Sequence, residues 1–165
     1  VATRATVIAS VRDTLARRSF VEVETPSLQT LHGGATARPF KTHLNAFDMP
    51  LYLRIALELY LKRLVVGGIE RVYEIGRVYR NEGVDSTHSP EFTELEAYEA
   101  YGDYDTMAAL TRDIVLDAAA AVGSFVVPDS RGGSIDLRAP WHSVTVHEAV
   151  SAAVGVEVTI DTPVD

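Results

Sequence analysis

The run from Arg80 to Tyr101, RNEGVDSTHSPEFTELEAYEAY, places an arginine, a histidine, aromatic rings and several carboxylates within one short stretch. The pieces on either side of residues 83–91 alternate in polarity, which predicts two strands joined by a polar loop. Because successive side chains of a strand point to opposite faces, Arg80 and Glu82 are expected on one face of the first strand. The second strand is expected to place on one face Phe92, Glu94, Glu96 and Tyr98.

These residue types would suit a ligand that carries both a nucleotide and an amine. An arginine binds phosphate oxygens, an aromatic ring stacks on a base, and carboxylates accept hydrogen bonds from an ammonium group. The connecting loop is longer than a hairpin needs, which is typical of functional loops, and Phe92 would gain nothing on a solvated face. Two structural alternatives stay open: a plain solvated face, and an ion pair of Arg80 with a glutamate across the hairpin.

Composition limits the class of protein. With 165 residues, 47% of them hydrophobic, the chain is long enough for one compact domain with a core. No apolar run approaches the roughly 18 residues that cross a bilayer, so no membrane contact is expected from this segment. The absence of cysteine excludes disulfides and is compatible with the cytoplasm. A net charge of -8 argues against nucleic-acid binding by phosphate neutralisation alone.

The first half of the chain predicts helices and strands in mixed order. Apolar residues recur at helical spacing from Val7 to Leu15, and this helix is expected to end near Ser19. FVEVETP alternates like a strand that ends at Pro26, and LQTLHGGATARPF reads as a glycine-bearing loop. MPLYLRIA then predicts a strand, and LELYLKRLVV predicts a short helix closed by Gly67 and Gly68.

The second half begins with the two strands of the hairpin, RVYEIGRVYRNE and FTELEAYEAY. A long helix is predicted from about Tyr104 to Val122, and VPDSRGGS predicts a turn. Thr145 and Glu148 have the spacing of a capping box for a helix that runs to Gly155. The expected fold class is therefore α+β, an antiparallel sheet flanked by helices.

Several of these segments resemble one enzyme family. VYRNEGVDSTHSPEFTELEAY resembles motif 2 of the class II aminoacyl-tRNA synthetases, and FVEVETP is similar to their motif 1, including its proline at Pro26. GGATARPF and ELYLKRLVVGGIERVYEIGRVYRNEG are similar to the lysyl-tRNA synthetases in particular. The resemblance places motif 1 at about residues 7–26 and motif 2 at about 71–101, and a match over several segments is more specific than one motif.

The resemblance implies roles for residues of an ATP site. Arg80 would bind the α-phosphate of ATP and the lysine carboxylate while the adenylate forms, which makes it the candidate catalytic residue. Glu82 would accept a hydrogen bond from the adenine amino group, and His88 would contact the distal phosphates. Phe92 would stack on the adenine ring.

The resemblance also implies a lysine site beside the residues of the ATP site. Glu58 and Glu96 would surround the substrate amino groups, Tyr98 would donate a hydrogen bond nearby, and Gly34 would let the loop backbone approach the amino acid. Carboxylates and a phenol also suit an ammonium group on chemical grounds alone, whereas an acidic amino acid would need lysine or arginine there. For Glu58 the structural alternative is a surface ion pair with Lys62 at i+4 spacing.

The chain departs from the family pattern in places. Thr87 stands where lysyl-tRNA synthetases often carry a basic residue, Leu57 where a proline usually opens the helix, and Glu94 where an apolar residue is usual. Nothing between Val122 and Asp165 matches motif 3, and the remaining histidines lack metal-ligand spacing, so no metal site is expected in this segment. The chain thus resembles the front portion of a catalytic domain over 1–165, and we expect it to be inactive alone.

The function that the resemblance implies is activation of L-lysine by ATP, with Mg²⁺ bound outside this segment, and transfer of lysine to the acceptor end of tRNA(Lys). Motif 1 implies a homodimer. Three alternatives stay open: a paralogue that supplies lysyl groups to membrane lipid, one that lysylates a protein, and a non-catalytic dimerisation or regulatory module with the same fold. The expected location is the cytoplasm, or the membrane if the parent protein carries a transmembrane N-terminal part.

Overall fold

A computed structural model describes residues 1–130 and 132–163, and the chain divides into two compact units, residues 1–124 and 125–165. All candidate site residues belong to the first unit. Its elements are, in chain order, α1 (Ala2–Arg17), β1 (Val21–Glu22), β2 (Leu28–Gln29), β3 (Lys41–Leu44), a 3₁₀ turn (Asn45–Phe47), β4 (Met49–Leu53), α2 (Glu58–Val66), β5 (Arg71–Tyr79), β6 (Glu91–Glu99) and α3 (Tyr104–Val122).

The centre of the first unit is the predicted hairpin. β5 and β6 pair antiparallel without a break from Arg71 opposite Glu99 to Tyr79 opposite Glu91. β1 adds to the other edge of β5 in parallel, and a second, antiparallel sheet has the order β2-β4-β3. The α+β fold class and the antiparallel hairpin with flanking helices are therefore confirmed.

The two faces of the hairpin are covered by different helices. On one face, α1 and α3 pack over Tyr73, with Val11, Leu15 and Leu110 at the centre of that cluster. On the other face, α2 packs over β5 and β6. We call this second face, which carries the even-numbered residues 72–78 of β5 and 92–98 of β6, the site face. Its core cluster consists of Leu57, Leu61, Val72 and Val78.

The strand predicted for FVEVETP is shorter than expected, since only Val21 and Glu22 are in β1. Val23 still donates its N–H to the Tyr73 carbonyl, at 2.9 Å. Thr25 then donates its N–H to the Glu74 carboxylate instead of to a strand, and Pro26, the next residue, has no N–H to donate. A side chain from the neighbouring strand therefore ends the ladder.

The helices match their predictions closely. α3 spans Tyr104–Val122 as predicted, with a capping box at Asp103 and a left-handed Gly123 at its end. α2 begins at Glu58 and ends at Val66, and Gly67 is its C-cap as predicted. α1 extends from Ala2 to Arg17, so it begins before the predicted apolar stripe and ends close to Ser19.

The second unit contains β7 (Val126–Pro128), β8 (Ser134–Asp136) and α4 (Val146–Val154). The predicted turn VPDSRGGS joins the antiparallel β7 and β8, and Arg131 within it lies outside the described residues. α4 has the predicted capping box of Thr145 with Glu148 and ends at a left-handed Gly155. Across the described parts of the chain, no helix has the length and apolarity that crossing a bilayer requires.

Candidate functional site

Arg80 and Phe92 form the first pair of the candidate site. Arg80 follows the last residue of β5, and its N–H donates to the Pro90 carbonyl at 2.9 Å, which continues the hairpin ladder by one step. The Arg80 guanidinium carbon lies 5.0 Å from the centre of the Phe92 ring, within the range of a cation–π contact. The structure therefore brings together a cation and an aromatic plane at the end of the site face.

Glu82 does not share a strand face with Arg80, and that part of the sequence prediction is wrong. β5 ends at Tyr79, and the following chain pairs with Arg38: the Asn81 N–H donates to the Arg38 carbonyl at 2.7 Å. The Glu82 Oε1 atom accepts from the Arg38 N–H at 3.1 Å. Glu82 nevertheless reaches the same cavity, because this pairing folds the loop back beside Arg80.

That cavity has a volume of about 350 Å³ and is lined by Arg80, Glu82, Gly83, Thr87, His88, Ser89 and Phe92. Every residue predicted to contact ATP lies in its wall. The hairpin loop that forms this wall is folded around Asp85, whose Oδ1 accepts from the N–H groups of Thr87 at 2.7 Å and His88 at 2.9 Å.

Asp85 was not singled out in the sequence, yet it organises the loop. Hydrogen bonds from the Thr87 N–H and hydroxyl hold the pKa of Asp85 at about 2, and the His88 ring adds to the effect. The His88 Nδ1 atom lies 2.8 Å from Asp85 Oδ2. Thr87 thus has a structural function where the family often has a basic residue: it closes the loop that carries His88.

Glu96 is held from two sides. Its Oε1 atom accepts from the Leu57 N–H at 2.9 Å, and its Oε2 atom accepts from the Tyr98 hydroxyl at 2.7 Å. Burial raises the pKa of Tyr98 far above its usual range, and the hydrogen bond to Glu96 raises it further. Tyr98 therefore remains a donor, and since a carboxylate has about four acceptor positions, Glu96 keeps capacity for an ammonium group.

Glu58 and Gly34 lie beside this carboxylate. Glu58 is the first residue of α2, and its charge contributes to the raised pKa of Tyr98. The alternative surface pair is present in the structure, since Lys62 Nζ lies 2.7 Å from Glu58 Oε1. Gly34 has φ of +84°, and a Cβ on it would lie 2.9 Å from the Glu58 Cβ. Only glycine fits there without displacing its neighbours.

Glu94 lies between the two halves of the site. Its Oε1 atom is 3.5 Å from Arg80 Nη2, so the alternative ion pair across the hairpin is also present. Its Oε2 atom is buried and has no hydrogen-bond partner among the described residues. Burial and the neighbouring Glu96 charge raise the pKa of Glu94, whereas Arg80 opposes this shift. Glu94 is thus a partly compensated charge at the centre of the site face.

We expect the substitution Glu94→Gln to stabilise the full-length protein by about 1 kcal/mol at pH 8, because it removes an incompletely paired buried charge. The gain should shrink toward pH 4. A carboxyl group whose pKa is raised on folding binds its proton more tightly in the folded state, so wild-type stability falls as pH rises above the unfolded pKa. Urea unfolding at both pH values measures the difference.

Glu91→Gln is the matched control for this prediction. Glu91 lies on the same strand but on the opposite face, and its side chain is 52% exposed beside Arg77. We expect this control to change stability little at either pH, since exposed ion pairs contribute little. An equal gain for Glu94→Gln at both pH values would contradict the assigned burial of its charge.

Two backbone groups also contact side chains of the site. The Ile55 carbonyl accepts from Arg80 Nε at 3.3 Å, and the Leu57 N–H donates to Glu96. Backbone groups carry no residue-type signal, so nothing in the sequence indicated them. Among residues 1–130 and 132–163, no three histidine, aspartate or glutamate side chains come together as a metal-ligand set.

Comparison with known proteins gives the family. The model of the tRNA synthetases class II (D, K and N) matches residues 1–162. A lysine–tRNA ligase of Kineococcus radiotolerans is 57% identical over 161 residues, which are 97% of this chain and 32% of that protein. A lysine–tRNA ligase of Mycobacterium tuberculosis is 51% identical over 163 residues, 98% of this chain and 32% of that protein.

A relative with a different name is equally similar. The lysylphosphatidylglycerol biosynthesis bifunctional protein LysX of Gordonia bronchialis is 56% identical over 168 residues, which cover 99% of this chain and 15% of that protein. The chain thus spans about a third of the length of the lysine–tRNA ligases that it matches, and less of the bifunctional protein. Since the family model covers residues 1–162, the chain belongs to the class II tRNA synthetases of the D, K and N family.

Proposed function

We propose that this chain is the front portion of a catalytic domain that activates L-lysine with ATP and transfers it to tRNA(Lys). The observation that carries the proposal is Glu96, held by the Leu57 N–H and the Tyr98 hydroxyl on the same hairpin face as Arg80 and Phe92. A carboxylate that can bind an ammonium group, placed beside an arginine that can bind phosphate, suits a substrate that is a basic amino acid. Relatives named lysine–tRNA ligase at 51–57% identity support the choice of lysine.

In the proposed site, ATP occupies the cavity beside the hairpin loop. Phe92 stacks on the adenine ring, Glu82 accepts a hydrogen bond from the adenine amino group, and His88 contacts the distal phosphates. The Arg38 N–H fixes one Glu82 oxygen, which leaves the other free to accept. Asp85 holds His88 through its ring nitrogen Nδ1, so the second ring nitrogen is the one that can face a phosphate.

Lysine occupies the neighbouring part of the site face. Glu96 and Glu58 accept hydrogen bonds from its ammonium groups, Tyr98 keeps Glu96 oriented, and the Gly34 backbone packs against the amino acid. The carboxylate of lysine then points toward Arg80, which lies beyond Glu94 in the same row of side chains.

The proposed chemical step is an in-line displacement. A lysine carboxylate oxygen attacks the α-phosphorus of ATP, a new O–P bond forms, and the bond to pyrophosphate breaks. The Arg80 guanidinium donates to the carboxylate and to the α-phosphate, so it stabilises the charge that develops between them. In the second step a ribose hydroxyl at the tRNA end attacks the lysyl carbonyl, and AMP leaves.

Magnesium would neutralise the ATP phosphates and pyrophosphate when it is bound. Residues 1–130 and 132–163 offer no set of three acidic or histidine ligands for it, so we propose that the parent protein binds it elsewhere. We also propose a homodimer through the motif 1 region, where Val21 is 50% exposed, and a cytoplasmic location.

Lysine-dependent ATP–pyrophosphate exchange by the full-length protein tests the proposal. We expect exchange with lysine and none with aspartate or asparagine. Exchange without any amino acid would contradict synthetase activity, and exchange only with another amino acid would contradict the lysine assignment. A protein that exchanges nothing would instead fit a non-catalytic dimerisation or regulatory module.

The acceptor of the lysyl group needs a separate assay. The protein loaded with labelled lysine is offered tRNA(Lys), vesicles that contain phosphatidylglycerol, or both. We expect label on tRNA(Lys) whenever the tRNA is present. Label on lipid that requires tRNA would instead fit the lysylphosphatidylglycerol paralogues, and label on protein without tRNA would fit a protein-directed paralogue.

A further inference from the structure

A buried ion pair lies behind the candidate site and has no part in the roles described so far. Arg54 is the first residue after β4, and Glu74 lies on the site face of β5; each residue is only 3% exposed. Arg54 Nη1 donates to Glu74 Oε1 at 2.6 Å. In the strand register, Glu74 lies directly opposite Glu96.

Both members of the pair make further hydrogen bonds. Arg54 Nε donates to the Arg77 carbonyl at 2.7 Å, and Nη1 also donates to the Thr25 carbonyl at 2.9 Å. Glu74 Oε2 accepts from the Thr25 N–H at 3.1 Å and from its hydroxyl at 2.5 Å. A Cβ on Gly76 would collide with the Arg54 guanidinium, so this glycine leaves the space that the arginine occupies.

The backbone of Arg54 is held as firmly as its side chain. Its N–H donates to the Ser27 carbonyl and its carbonyl accepts from the Tyr79 N–H, both at 2.9 Å. Arg54 therefore fixes the start of the segment 55–57, which is almost fully buried. That segment supplies the Ile55 carbonyl to Arg80 and the Leu57 N–H to Glu96.

We propose that Arg54 and Glu74 are a positioning pair: through the backbone of residues 55–57 they set the placement of Arg80 relative to Glu96. In the proposed function Arg80 binds the phosphate side of the substrate and Glu96 binds its amine side. Arg54 and Glu74 would therefore fix the distance between these two binding groups. The effect on the substrate rests on the proposed function, whereas the placement of residues 55–57 rests on the hydrogen bonds of Arg54 and Glu74 alone.

Stability alone is a weak reason for such a pair. The free energy needed to remove two charges from water is often larger than the free energy gained from their attraction. Apolar residues of similar volume can therefore commonly replace a buried ion pair without loss of stability. Apolar side chains could not, however, bond the Arg77 and Thr25 carbonyls. The guanidinium, with its fixed fork of donors, connects three parts of the chain at one point: Thr25 in the segment after β1, the segment after β4, and β5.

The mechanical part is tested by deuterium exchange on the full-length protein. Arg54→Lys keeps the charge but cannot make all these bonds from a single nitrogen. We expect the amides of residues 55–57 to exchange at least about tenfold faster than in wild type. Leu15→Ala, a core variant in the cluster on the opposite face, is the control for lost stability and should leave these amides protected. Unchanged protection at 55–57 in Arg54→Lys would overturn the proposal.

The functional part is tested by exchange kinetics. We expect Arg54→Lys to lower kcat/KM about ten- to a hundredfold, since misplacement by about an ångström has that effect. Arg54→Lys and Glu96→Gln both act on the amine side of the site. Glu96→Gln should therefore lower kcat/KM by a smaller factor in the Arg54→Lys background than in wild type, whereas the factor should be unchanged in the Leu15→Ala background. If the fold losses in kcat/KM of Arg54→Lys and Glu96→Gln simply multiply in the double variant, the proposal is overturned.

A double variant covers the case in which Arg54→Lys fails to fold. Arg54→Met combined with Glu74→Met removes both charges at similar volume, and it should fold yet lose kcat/KM to a similar degree. A folded double variant with wild-type kinetics would overturn the proposal. If wild type shows no lysine-dependent exchange, the proposed function fails, and the deuterium experiment still decides whether the pair fixes residues 55–57.

Discussion

Replacing Arg80 with alanine is expected to lower lysine-dependent ATP–pyrophosphate exchange about 10²–10³-fold. The guanidinium is the charged group placed between the cavity beside the loop and the acidic site around Glu96. Its loss removes donors aimed at charge that develops only in the transition state, so kcat should fall more than either KM rises. Because the loss of Arg80 also leaves the Glu94 carboxylate without its counter-charge, we expect the melting temperature to fall as well, and exchange is measured below the melting transition of each variant.

Two variants sharpen this result. Arg77→Ala removes an arginine three residues earlier, on the face of β5 opposite the site face, where it is 58% exposed beside Glu91; it should leave exchange unchanged. Arg80→Lys keeps the charge without the bidentate fork and should fall between alanine and wild type. Equal exchange rates for Arg80→Ala and Arg77→Ala would show that the hairpin end does not carry the chemistry.

Replacing Glu96 with glutamine is expected to raise the KM for lysine about ten- to a hundredfold, while the KM for ATP stays the same. Glutamine keeps an oxygen that can accept from the Leu57 N–H, and its amide can still bond the Tyr98 hydroxyl. The local geometry therefore survives, and the loss measures the charge that faces the substrate ammonium group. Initial rates with each substrate varied in turn separate the two KM values.

The control for Glu96 is again Glu91→Gln, which removes a carboxylate from the opposite face of β6. We expect normal KM values for both substrates. If Glu96→Gln raised both KM values equally, its role would be to support the hairpin and not to bind the amine. If neither value moved, Glu58 or Glu94 would be the residue that binds the ammonium group.

The sequence predicted those parts of the site that depend on periodicity. The alternation of FTELEAYEAY places Phe92, Glu96 and Tyr98 on one face of β6, as the structure has them. The apolar spacing of α3 gave its bounds correctly, because this spacing is a local property of the sequence. Arg80 was also correctly placed beside Phe92, since the hairpin ladder extends one step beyond β5.

What the sequence did not predict depends on distant partners. Glu82 was assigned to a strand face because the alternation of polar and apolar residues in β5 continues to it. In the structure the chain leaves the strand before Glu82 and hydrogen-bonds with Arg38. Arg54 was not singled out in the sequence, although it is nearly fully buried. Its burial is possible only because Glu74, Thr25 and Gly76 meet it from other segments, and no local pattern encodes such a meeting.

The unbroken register of β5 and β6 determines where this hairpin can change length during evolution. Residues 81–89 form a loop beyond the last step of the ladder, so insertions and deletions there would alter the cavity wall and leave the strand pairing intact. One residue inserted between Phe92 and Glu96 would instead turn Glu96 and Tyr98 toward the helices on the opposite face. We therefore expect natural length variation among related hairpins to be confined to the loop.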